Sequence, residues 1–174
     1  METLDNVAGR LEQIEKRTLI LEDIEALKKL KARYGMLCDE KYRDHKAKSE
    51  EEVAIVAREI SELFTPDAVW DAGGKFGINR GRNEIFEYFK TRRFDFACHY
   101  FVMPYLDLQG DRARARWYLF QPTTIKEAKP VWMSGYEDDE YVKVDGRWYI
   151  SNMKLILNFL TPYDEGWVKN RIVA

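Results

Sequence analysis

Two histidines, His45 and His99, are all the imidazole this 174-residue sequence offers, so a histidine-dependent reaction must run through one of them. His45 stands in Arg43-Asp44-His45-Lys46, inside the most charged stretch of the chain, Glu40 to Glu52, where a solvated surface residue is expected. His99 stands in Phe96-Ala97-Cys98-His99-Tyr100-Phe101-Val102-Met103, where both alternating faces are apolar, so a strand here should hold the ring out of bulk water. Burial lowers an imidazole pKa and a neighbouring carboxylate raises it. Together they poise the ring near neutrality as a competent general base. A core histidine satisfied by backbone groups is the plainer alternative for the same strand.

Such a base needs a carboxylate, and the candidate is Asp39, which follows the largely apolar Tyr34-Gly35-Met36-Leu37-Cys38 at the end of a helix. A negative charge at a helix C-terminus has the wrong sign for the macrodipole, which can mark a functional placement; an ordinary surface Asp is the alternative. Tyr34 and Asp39 stand about 140° apart on an ideal helix, so they meet one pocket only if the helix frays or the pocket is broad. Phe101 and Met103 share the face of His99. Trp117, Leu119 and Trp132 on the following runs offer an aromatic and apolar wall for a substrate, with core packing as the alternative for each Trp. Arg112, Arg114 and Arg116 share one strand face and are expected to meet solvent or another subunit.

The elements that must position these groups fall into two halves. Apolar residues at three- and four-residue spacing from Leu4 predict two helical pieces, roughly 3–16 and 20–38, because the Leu19-Ile20 doublet shifts the phase near Thr18. The first piece, within residues 1–18, reads as an arm for another chain or as a helix folded back on its own domain. The charged stretch then gives a solvated connection. Val53, Val56, Ile60 and Leu63 form a helical stripe that ends at Thr65-Pro66, followed by a short strand at Ala68-Val69-Trp70. Gly81-Arg82 opens a third helix ending near Arg92. Four long alternating runs follow, near 95–108, 112–125, 131–144 and 147–159, divided by turn signals such as Asp145-Gly146. Helices first and a sequential meander after predict an α+β architecture in which a curved, mostly antiparallel sheet wraps over helices.

Composition narrows the function classes. The 28 Lys and Arg against 30 Asp and Glu give a net charge of −2, which speaks against a nucleic-acid surface. Two cysteines are too few for a disulfide framework or a Cys/His zinc site. No run of about 18 apolar residues is long enough to span a membrane, and no basic-then-apolar leader opens the chain, so a single cytoplasmic domain over residues 1–174 is expected.

Several phrases together resemble the SnoaL-like branch of the nuclear-transport-factor-two-like superfamily, the cystatin-like α+β cone. They are Asp23-Ile24-Glu25-Ala26-Leu27 running to Tyr34 and Asp39, Phe64-Thr65-Pro66-Asp67-Ala68-Val69-Trp70, Gly81-Arg82, and Val144-Asp145-Gly146-Arg147-Trp148-Tyr149-Ile150. The resemblance covers nearly the whole chain and is closest in site pattern to bile-acid 7-alpha-dehydratase, scytalone dehydratase and hexachlorocyclohexane dehydrochlorinase. These pair an Asp near the end of the long N-terminal helix with a His on the first long strand, which places the pair here at Asp39 and His99. The bile-acid enzyme's tyrosine falls at Tyr34.

The resemblance implies a lyase or isomerase that needs no metal or cofactor. It implies a hydrophobic ring-containing substrate, steroid-, polyketide- or aromatic-like, and a homotrimer or homodimer. Departures bear on the substrate. The second histidine of scytalone dehydratase has no counterpart, and Gln121 and Leu157 stand where the bile-acid enzyme has an Asp and an Arg. Gln121 therefore joins the expected substrate-binding set, and Lys154 and Asn158 are alternative polar contacts. The resemblance extends to the small subunit of ring-hydroxylating dioxygenases, which leaves a non-catalytic accessory subunit or small-molecule-binding protein as the alternative.

Overall fold

A computed structural model of the chain describes residues 4–169. Residues 1–3 of the expected arm and 170–174 of the expected domain lie outside the described residues. The two expected N-terminal pieces are one helix, α1 (Leu4–Glu40). The doublet at Leu19-Ile20 moves the apolar stripe around the helix, but no proline or glycine interrupts the backbone there. The phase shift marks a change of surroundings instead. Through Glu22 every described α1 residue is exposed, Leu4 at 88% and Leu11 at 56%, whereas Leu27, Lys31, Tyr34 and Cys38 form a buried face at four-, three- and four-residue spacing.

The charged stretch holds more structure than a plain connection. Strands β1 (Tyr42–Arg43) and β2 (Lys46–Ala47) form a hairpin whose two turn residues, Asp44 and His45, both have positive φ, as a two-residue turn of the type I′ class requires. His45 is exposed there, with Phe96 against its ring. Helix α2 (Glu50–Glu62) starts at a capping box between Ser49 and Glu52 and buries Val53, Val56 and Ile60. Strand β3 (Phe64–Asp71) begins earlier than the expected Ala68, because Phe64 already pairs with Ile150. After the short helix α3 (Gly73–Phe76), strand β4 (Ile78–Arg80) returns antiparallel to β3 and leads into helix α4 (Gly81–Lys90), which buries Ile85 and Phe89.

The remaining strands are β5 (Phe96–Ala97), β6 (Tyr100–Gln109), β7 (Arg112–Ile125), β8 (Lys129–Val144) and β9 (Arg147–Pro162), followed by the short helix α5 (Gly166–Lys169). β6 to β9 form the expected antiparallel meander. β3 joins β9 in parallel, so the sheet is mixed, in the order β4-β3-β9-β8-β7, and β5 and β6 share the outer edge of β7. The described strands do not close into a ring, and the fold is α+β with helices packed against the sheet through a shared core.

Two features shape the cone. The first long run is not one strand buried on both faces: it divides into β5 and β6 around Cys98 and His99, and β6 is an edge strand with Tyr100, Val102 and Tyr105 exposed. The second is Gly135, at a register shift between β8 and β9. A Cβ there would stand 2.1 Å from the Ile156 carbonyl oxygen, a distance no side chain can occupy. Strand parity places Trp117, Leu119 and Gln121 of β7 on the inner face with Met133, Glu137, Asp139 and Tyr141 of β8.

Candidate active site

Lys31, on the buried face of α1, is fully enclosed, with its ammonium bonded to Glu137 and, at 2.8 Å, to Asp139. The Tyr141 hydroxyl donates to Asp139 at 2.6 Å, and the Trp117 indole N–H donates to Tyr141 at 3.0 Å. Burial works to lower the Lys31 pKa, but the Asp139 and Glu137 carboxylates outweigh it and raise the pKa above the usual lysine value. Glu137 moves up chiefly through burial. The ammonium also sits 4.3 Å from the centre of the Phe101 ring, whose other neighbours are His99 and Tyr34. Gly35 lets that ring approach α1, since a Cβ there would lie 3.2 Å from it.

Between this buried cluster and α4 lies a cavity that is partly open to solvent. The sheet contributes Leu119, Gln121, Met133, Glu137 and Leu155. Helix α1 contributes Tyr34 and Cys38, and Trp70, Tyr88 and Phe89 form an aromatic wall, Trp70 lying 4.3 Å from Tyr88 between ring centres. Lys41, Thr91 and Arg93 line the same cavity, and Thr91 and Arg93 are exposed where it opens.

His99 lines the cavity and Asp39, the penultimate residue of α1, reaches it from behind. The His99 ring Nδ1 is 2.6 Å from Asp39 Oδ1, and the His99 backbone N–H donates to the same carboxylate at 3.0 and 3.2 Å. A carboxylate only accepts, so the ring hydrogen belongs on Nδ1 and the lone pair on Nε2. Burial lowers the imidazole pKa below 6.5; the hydrogen bond and charge of Asp39 oppose this, and Lys41 and Lys31 reinforce it. The net direction is down, so the ring is a neutral base at physiological pH rather than one balanced at its midpoint. Tyr34 is 2% exposed, and burial holds its hydroxyl well above the usual tyrosine range, so the group remains a donor.

Of the residues expected to bind substrate, Leu119 and Gln121 line the cavity, and Phe101 packs behind it against His99 and Tyr34. Trp117 lies deeper, tied to Tyr141. Trp132 and Met103 are corrections. Trp132 has the opposite parity on β8 and stacks on Phe120 and Tyr163 on the outer face. Met103 is 72% exposed at a bulge in β6, with φ of 46°. Lys154 and Asn158 are exposed on β9. The arginines of β7 face outward against β8, Arg116 with Asp138 at 2.7 Å and Arg114 with Glu140 at 3.2 Å. Sequence reasoning missed Lys31, Lys41, Arg93, Glu137 and the wall of Trp70, Tyr88 and Phe89. Lys31 had a usable signal, since it occupies a stripe position between Leu27 and Tyr34. Among the described residues no group of three or more His, Cys, Asp or Glu is placed to hold a metal, and no helix is long and apolar enough to cross a membrane.

The profile of the SnoaL-like domain family matches residues 55–154 of the chain. Solved structures are similar across most of its length. A type 2 hexachlorocyclohexane dehydrochlorinase is 17% identical, with 82% of this chain and 89% of that one covered and a TM-score of 0.68. A scytalone-dehydratase-like protein of Novosphingobium aromaticivorans is 20% identical over 82% and 89%, also at 0.68. An NTF2-like protein with a cystatin-like fold from the same organism is 22% identical over 97% and 96%, with a TM-score of 0.64. At these identities the likeness is one of fold.

Proposed function

Because the chain belongs to the SnoaL-like domain family, we propose that its cavity carries out a cofactor-independent elimination or isomerisation on a hydrophobic ring-containing molecule, with Asp39 and His99 as the acid/base pair. The observation that carries this reading is the 2.6 Å contact from His99 Nδ1 to Asp39 at the wall of an aromatic cavity. In this reading Nε2 takes a proton from a carbon next to a carbonyl or a leaving group. The C–H pair becomes the new double bond, and the leaving group departs with its own electron pair. Asp39 fixes the tautomer and stabilises the imidazolium that forms, and the Tyr34 hydroxyl donates to oxygen that gains charge. Solved relatives described as a dehydrochlorinase and as scytalone-dehydratase-like support the reaction class.

The test is turnover of a panel of ring substrates bearing a hydroxyl or halogen β to an acidic C–H. Parent activity that falls about 10²- to 10⁴-fold in His99→Ala and Asp39→Asn fits the reading, and activity equal to the parent in both variants overturns it. A second reading, a non-catalytic ligand-binding or accessory subunit, is favoured by the backbone bond from His99 to Asp39, which gives the carboxylate a purely structural task. Binding without turnover across the panel would select it. The exposed stripe of Leu4, Val7, Leu11 and Ile14 on α1 supports a homodimer or homotrimer, which light scattering with and without residues 1–18 would test.

A further inference from the structure

Several cations of this protein meet carboxylates from other elements. Arg33 meets Glu59, Arg43 meets Glu52, Lys143 meets Asp23, and the deeply buried Lys31 has two carboxylates. Lys41 and Arg93 are the cations that line the cavity, beside the exposed Thr91. Among the described residues neither has a carboxylate within salt-bridge distance. Each lies over aromatic carbon instead, Lys41 5.2 Å from the Phe89 ring centre and Arg93 4.1 Å from that of Tyr88. Among the described residues the one carboxyl that lines the cavity, Glu137, is already held by Lys31.

Two like charges that face one partly desolvated space repel each other, and apolar walls screen them less than water does. Burial lowers the Lys41 pKa; Cys38 and Asp39 oppose this, and Arg93 adds a smaller push in the same direction as burial. An anion between the two cations would relieve both. A rigid apolar body behind that anion would fill the space along Trp70, Leu119 and Met133. We infer that the ligand of this cavity is an amphipathic ring acid, whose carboxylate sits between Lys41 and Arg93 and whose ring system points inward toward His99. This rests on the proposed function only in taking the cavity as the binding site, and it adds the chemical class of the ligand.

Titration calorimetry with 2-naphthoate and its neutral isostere 2-naphthamide tests the inference without requiring turnover. The parent is expected to bind the acid at least about tenfold more tightly than the amide, the discrimination a partly buried charged hydrogen bond provides. Arg93→Gln, at an exposed position that folding tolerates, and Lys41→Gln should each remove most of that preference while leaving affinity for the amide unchanged. Equal binding of acid and amide overturns the inference and leaves the cavity reading in place, as does a preference that survives both substitutions together. Failure of both compounds to bind the parent overturns the inference and the cavity reading alike.

Discussion

Replacing Lys31 with Met keeps the length of the side chain and removes its charge, which leaves Glu137 and Asp139 facing each other in the core at 3% and 2% exposure. Of the donors to Asp139, only the Tyr141 hydroxyl remains, and Asp139 Oδ1 already lacks a partner among the described residues. Breaking a buried pair by deleting one partner typically costs about 3–5 kcal/mol. That cost should depend on pH. In the parent, burial pushes the Glu137 pKa up, so the folded chain keeps a proton that the unfolded chain has lost. Its contribution to stability therefore falls as pH rises from the ordinary glutamate value through the raised one. Without Lys31, whose charge opposes the rise, the Glu137 carboxyl moves higher and the window of loss extends upward. Urea unfolding followed by tryptophan fluorescence should show a stability gap between parent and Lys31→Met that is small near about pH 5 and reaches about 3–5 kcal/mol near about pH 8. A gap that stays flat over that range, or one below about 1 kcal/mol at the upper end, would refute the reasoning by showing that water, not Lys31, solvates the two acids.

If His99 is the base, kcat/KM should stay level from alkaline pH down to about 6.5 and fall only below it, because the imidazole is shifted down from its ordinary value. A limb centred above about pH 7 counts against the assignment. Iodoacetamide at mildly alkaline pH should modify Cys98 and spare Cys38, whose buried thiol is pushed up to about 12; mass spectrometry showing both labelled in the folded chain would contradict its burial. Trp132→Ala should leave naphthoate affinity unchanged, since the ring stacks on Phe120 and Tyr163 away from the cavity, whereas Leu119→Trp should abolish binding by filling it. Calorimetry that ranks the two variants the other way would show that the ligand binds on the outer face.

Periodicity made the order of elements legible, and strand parity alone separates the inward Leu119 and Gln121 from the outward Arg112, Arg114 and Arg116. The same alternation assigns Glu137 and Asp139 to the interior, but acidic residues read as solvent-facing until a buried cation is known to meet them. Lys31 hides in that way: its charge masks a stripe position that its spacing from Leu27 and Tyr34 reveals. The site's aromatic wall was harder to see, because Trp70, Tyr88 and Phe89 converge from β3 and α4 through tertiary packing that no local pattern encodes. The split between β5 and β6 was also hidden. An apolar run of that length reads as continuous strand, and only the bond from the His99 backbone to Asp39, sixty positions earlier, shows the break.

Gly135 has a consequence for how such a protein can change over generations. The residues that line the cavity, such as Leu119, Met133 and Leu155, are apolar groups whose size can vary in single steps while the sheet stays as it is. At position 135 even alanine, the smallest step away from glycine, must displace the Ile156 carbonyl from its place in the adjoining strand. A saturation library should therefore accept many residues along the cavity and almost none at this crease. New ligands can be acquired by redecorating the walls, while the curvature that makes the walls a container is inherited unaltered.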